Sequence, residues 1–136
     1  MAITVDVIIN STIDTVWKTW VSPDDIKIWN AASDDWHTTI ADVNLTVGGE
    51  FLSRMEAKDG SAGFDLTGVY TNIIDKQLIE FSLEDGRNVS VVFEAIPTGV
   101  KITETFDAEQ ENTIQAQKQG WQSILNNFAK YVEALN

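Results

Sequence analysis

Glu104 lies in the run Val100–Phe106, where Val100, Ile102, Glu104 and Phe106 share one face at the two-residue period of a strand. If that face looks inward, a carboxyl group sits among apolar side chains, where its charged form is disfavoured and its proton is held more tightly. Such a group orients a ligand or acts as a general acid–base. The plain alternative is a bulge that turns Glu104 to water. His37 is the single histidine, a residue type that exchanges protons near neutrality. Its plain alternative is a strand-edge histidine bonded to Asp35 or to backbone. A Glu104–His37 pair would suit cyclase- or dehydratase-like proton transfer, although no local spacing brings the two together. Arg54, beside Phe51, Leu52 and Met55, could meet a ligand carboxylate or pair with Glu104. The alternative is an arginine that faces water, with Glu56 as a neighbour on its face.

Aromatic residues are numerous, with five Trp in 136 residues. Most must be core. Trp29, Trp36, Phe51, Tyr70, Trp121 and Phe128 are the candidates for contact with an apolar ligand. Trp29 and Trp36 flank the loop formed by residues 30–35.

Other chemistries are excluded or unsupported. Without cysteine there is no disulfide, thiolate metal site or thiol nucleophile, and one His rules out a multi-histidine metal site. Asp24-Asp25 and Asp34-Asp35 lack the spacing of a calcium loop. Gly48-Gly49 precedes a strand pattern, not the helix that a phosphate cradle needs. No nucleophile elbow supports Ser-His-Asp catalysis. No metal and no cofactor is therefore expected. The net charge of −12, from 9 Lys and Arg against 21 Asp and Glu, disfavours nucleic acid and anionic membrane surfaces. No run approaches the ~20 apolar residues of a membrane span. The first residues lack the basic and apolar regions of a signal peptide, so a cytoplasmic protein is the expectation.

The elements that must position these residues follow from periodicity. One domain over residues 1–136 suits the length. Residues 2–10 alternate as a strand. Ile13, Val16, Trp17 and Trp20 then make a helical stripe, with Ser11 and Asp14 as a capping box. A second short helix starts at Pro23, whose missing N–H suits the first helical position. Six strand patterns follow: Trp36–Val43, Glu50–Ala57, Phe64–Ile74, Leu78–Leu83, Asn88–Ile96 and Val100–Phe106. Short links such as Asp59-Gly60 and Asp85-Gly86 make neighbours antiparallel. The chain ends in a helix of about 22 residues, longer than the usual three turns. Asn112 and Gln115 are its expected capping pair. Gly120 inside it suggests a close backbone approach or a bend, the plain alternative being a tolerated glycine. This is an α+β order, β-α-α-β6-α. A curved antiparallel sheet of seven strands holding one long helix leaves room for a pocket between them.

Several motifs carry a resemblance over almost the whole chain. They are Trp17 and Trp20 followed by Pro23 through Trp29, then Val47-Gly48-Gly49-Glu50-Phe51, then Gly68-Val69-Tyr70 with Ile73, and finally Gly120-Trp121 with Leu125, Phe128 and Val132. Two longer runs, Ala32 through His37 and Glu104 through Glu109, look like a bacterial subset. The set resembles the START-like, polyketide-cyclase-like helix-grip superfamily. Within it, the chain is similar to homologues of the C-terminal domain of the heat-shock-protein ATPase activator. Asn72 departs from the pattern, standing where the family often carries an acid. The resemblance implies the helix-grip fold and a cavity for a small apolar or amphipathic molecule. It also implies a possible contact with a chaperone.

Overall fold

A computed structural model describes residues 1–135; residue 136, the last of the expected domain, lies outside the described residues. The elements run β1 (Ala2–Ile9), α1 (Ile13–Val21), α2 (Pro23–Trp29), β2 (Trp36–Val43), β3 (Glu50–Ala57), β4 (Gly63–Ile74), β5 (Leu78–Leu83), β6 (Asn88–Ile96), β7 (Gly99–Asp107) and α3 (Ile114–Ala134). The strands form one sheet in the order β1-β7-β6-β5-β4-β3-β2, antiparallel throughout. From β2 to β7 it is a meander. β1 then joins the last strand, pairing Ala2 with Asp107 through to Ile9 with Val100. The sheet curls around α3 in an α+β helix-grip arrangement.

Alternation decides which side of each strand meets the core. In β7, Val100, Ile102, Glu104 and Phe106 are buried while the residues between them are half-buried. In β1, Ile3, Val5 and Ile9 are buried between mostly exposed neighbours. Their inward faces meet Leu125, Phe128 and Val132 of α3, all essentially without exposed surface. Trp20, Trp29 and Phe128 form an aromatic junction between the three helices, with ring centroids 4.7–5.0 Å apart. Such close, mostly edge-on rings add to the gain from burial alone.

Two ties hold α2 onto α3. The Tyr131 hydroxyl donates to Asp25 Oδ1 at 2.6 Å, and Asn127 Nδ2 donates to the Trp29 carbonyl at 2.7 Å. β2 supplies a third tie, Thr38 Oγ1 donating to the Asn30 carbonyl at 2.7 Å. The end of α2 is thus fixed between the sheet and the long helix.

Local details correct two expected caps and bear on the role of Gly120. Thr12, not Ser11, caps α1, its hydroxyl accepting from the Thr15 N–H. Thr113, not Asn112, caps α3 by accepting from the Ala116 N–H at 3.1 Å. Both helices start one residue later than expected, and a threonine hydroxyl supplies the same acceptor. Gly120 makes no close approach: a Cβ there would meet nothing within 4 Å, and α3 runs through it without a break. Gly99 is different. Its φ of +145° disfavours any side chain, and a Cβ would run into the carbonyl of Ile9 where β1 crosses β7.

Candidate functional site

Between the inner face of the sheet, the α1–α2 region and α3 lies a cavity of about 140 Å³. Each wall follows from a local pattern. On β3, Phe51, Ser53 and Met55 point inward at the two-residue period. Tyr70 of β4 and Phe81 of β5 complete an aromatic wall, their ring centroids 5.5 and 5.0 Å from that of Phe51. Gly68 makes room for this wall. A Cβ at Gly68 would lie 2.5 Å from the Phe51 ring, so the ring lies over bare backbone. Trp20, Ile26 and Trp29 close the helical side, and Trp121 and Ile124 come from α3. Trp121 stacks on Phe106 with ring centroids 3.9 Å apart.

Glu104 is the charged-type residue buried in this wall. It is 7 % exposed. Among the described residues no group donates to its carboxyl or accepts from it, and burial alone pushes its pKa up to about 8. At neutral pH it is therefore a neutral acid, able both to donate and to accept a hydrogen bond. Tyr70, also on the wall, has its hydroxyl pushed up to about 12 by burial and remains a phenol. The indole Nε1 of Trp29 is buried with no partner among the described residues. Asp42 is exposed at the cavity's edge.

Of the residues expected from sequence to touch a ligand, Trp29, Phe51, Tyr70, Glu104 and Trp121 line this cavity. Four others sit elsewhere. Phe128 is fully buried in the helix junction behind the wall. Trp36 packs against Phe64, ring centroids 6.0 Å apart, away from the cavity. Arg54 belongs to the opposite face of β3 from Ser53 and Met55. There it bonds Glu56 Oε2 at 3.1 Å and Asp65 Oδ1 at 3.3 Å. The Arg54 guanidinium holds the Glu56 carboxyl below its ordinary range, with Thr39 and His37 adding to the effect. His37 pairs with Glu56 across β2 and β3, on that same outer face.

Glu104 and His37 are thus on opposite faces of the sheet. Four strands lie between β7 and β2 in the sheet order, or about five spacings of ~4.8 Å along the sheet. The acid–base pair considered from sequence has no geometry through which to act, and Arg54 does not reach Glu104. The physical reason is parity. Phe51, Ser53 and Met55 occupy the inner face, so Arg54 must take the outer one.

Sequence reasoning passed over Ser53, Ile79 and Phe81 as wall residues. Ser53 was findable, because it lies two residues from Phe51 and from Met55. Ile79 and Phe81 needed the curl of the sheet to bring β5 to the cavity.

A curled antiparallel sheet closed on a long C-terminal helix, with an apolar cavity between them, defines a protein of the START-like helix-grip class. A family model described as "Activator of Hsp90 ATPase homolog 1-like protein" matches residues 10–133, and the chain belongs to this family. It is similar to the AHSA1-like protein from Aeromonas hydrophila, at 50% identity and TM-score 0.94 over 99% of this chain and 94% of that one. It is also similar to Chr148 from Cytophaga hutchinsonii, at 43% identity and TM-score 0.84 over 98% and 92%. Protein NE0264 from Nitrosomonas europaea shares the fold at 15% identity, with TM-score 0.83 over 100% and 96%. No curated protein matches the chain. Among the described residues no helix is long and apolar enough to cross a membrane.

Proposed function

We propose that the protein binds a small apolar or amphipathic molecule in the cavity between the sheet and α3. The observation that carries this reading is the cavity wall itself. It is aromatic and aliphatic almost throughout, with a single buried carboxyl set into it. A packed core leaves few voids larger than a water molecule, whereas a volume of about 140 Å³ is close to the ~150 Å³ that holds one aromatic ring. A longer molecule would leave part of itself at the open edge beside Asp42.

Native mass spectrometry of protein purified without delipidation tests the reading. A co-purifying small molecule is expected, along with a raised melting temperature when it is added back. If no adduct appears and a broad metabolite and lipid screen by thermal shift gives no stabilised condition, the reading fails.

The family description supports a second reading, contact with a heat-shock chaperone. A pull-down against that chaperone at low and high salt tests it. Absence of association at low salt removes it.

A further inference from the structure

We propose that the cavity selects an uncharged ligand bearing a hydrogen-bond acceptor, such as a ketone, ester or amide oxygen on a small apolar body, which accepts a hydrogen bond from the Glu104 carboxyl. This rests on the binding reading above and specifies its ligand class.

Among the described residues no cationic side chain lines the cavity. Arg54, the cation nearest in sequence to the β3 wall, is on the other face and held by two carboxylates. A ligand carboxylate would therefore enter an apolar space with no counter-charge, facing another acid, and would lose its hydration without return. The overall charge of −12 opposes its approach as well.

A ligand ammonium fares little better inside. It has three N–H donors to satisfy, and the inner wall offers one buried carboxyl and the Ser53 and Tyr70 hydroxyls, with Asp42 out at the exposed edge. Ionising Glu104 to meet it would create a buried ion pair with little else to solvate it.

A neutral acceptor meets none of these costs. Glu104 is 7 % exposed, lines the cavity and has no partner among the described residues. Its proton is a donor without an acceptor. The Trp29 N–H is also without a partner among the described residues, but it is sealed in the packing and shows no surface to the cavity, so Glu104 carries the recognition. An apolar wall with this one donor left unpaired is complementary to an acceptor oxygen on an apolar body. Buried polar groups are otherwise almost always satisfied.

Four probes of one ring size separate the possibilities: cyclohexanone, cyclohexylammonium, cyclohexanecarboxylate and cyclohexane. Each is titrated into the isotope-labelled protein at neutral pH, and affinity is read from amide and indole shift changes at cavity residues. The ketone is expected to bind about tenfold more tightly than the carboxylate or the ammonium, and more tightly than the hydrocarbon. Glu104→Gln, which keeps an N–H donor, is expected to retain the preference for the ketone over the hydrocarbon, and Glu104→Leu to lose it.

If the hydrocarbon binds as well as the ketone, the donor argument is overturned while the cavity reading stands. If the ammonium or carboxylate binds best, the neutral class is wrong. If no ring perturbs the cavity residues, the binding reading and this proposal fall together. The wild-type series decides even if a variant fails to fold.

Discussion

Glu104 holds its proton because of where β7 places it, and the consequence is a pH dependence with a definite sign. Its ordinary value of 4.5 is pushed up to about 8 by burial. Below pH 4.5 the carboxyl is neutral in both folded and unfolded chains and makes no difference. Between about 4.5 and 8 the unfolded chain releases a proton that the folded protein keeps. Stability therefore falls as pH rises through this window, and the loss is complete above about 8. The total is of the order of a few kcal/mol. Glu104→Gln should flatten the melting-temperature profile between pH 5 and 8 and make the protein more stable than wild type at pH 8. A parallel decline in both proteins would show that Glu104 is not the cause. Glu56, Asp85 and Glu109 shift the other way through hydrogen bonds. Their contributions are present above the ordinary carboxylate range and vanish only at more acid pH, outside this window. Gly68 is the other residue on which the cavity depends. Gly68→Ala would put a methyl against the Phe51 ring and the Ser82 carbonyl. It should destabilise the protein by about 1–3 kcal/mol in urea unfolding, with shift changes concentrated at Phe51, Tyr70 and Phe81. A neutral effect would mean that the ring moves freely and that the wall is softer than described.

At the scale of elements, α3 is the lid of the cavity, so its start matters. Thr113 caps it, and the loop before it is held by one buried amide. Gln117 Nε2 donates to the carbonyls of Glu109 and Asn112, at 3.0 and 2.8 Å, and its Oε1 accepts from the Glu109 N–H at 2.9 Å. Gln117 is only 7 % exposed, yet nearly all its bonding capacity is used. Thr113→Ala should cost about 1 kcal/mol. Gln117→Leu should cost more, since it removes all three bonds that this amide makes to part-buried backbone groups. Chemical denaturation measures both. The reverse order would mean that the loop is hydrated and that the amide matters less than the cap. Hydrogen exchange should quicken first at residues 108–117 in the Gln117 variant.

Over the whole molecule the charge is uneven. Residues 114–136 carry Lys118, Lys130 and Glu133 as their charged side chains, while the acids crowd the strands, loops and early helices. Surface pairs such as Lys76–Asp14, 2.9 Å apart, offset only a little of this. Self-repulsion therefore opposes the compact state at low ionic strength. The melting temperature should rise between 20 and 300 mM sodium chloride, as the screening length falls to below about 10 Å. A fall with salt would show that the surface pairs outweigh the repulsion.

The sequence by itself determined the elements. β2, β3, β5 and β6 begin and end where alternation and turn residues place them, because those signals are local. It also determined the parity of each strand, and with it the placing of Glu104 on the same face as Val100, Ile102 and Phe106. The caps were missed by one residue because neighbouring Ser, Thr and Asn offer the same oxygen acceptor. What only the tertiary structure decided was which residues from distant strands share one space. Trp29, Phe51, Tyr70, Glu104 and Trp121 line the cavity together, while Trp36 and Phe128, equally aromatic and equally plausible in sequence, do not. Parity excludes Arg54 and His37 only once β3 is known to turn Phe51, Ser53 and Met55 inward. A two-residue period gives the alternation of faces but not which face is concave. That choice is made when the curled sheet closes on α3, a contact between residues a hundred positions apart.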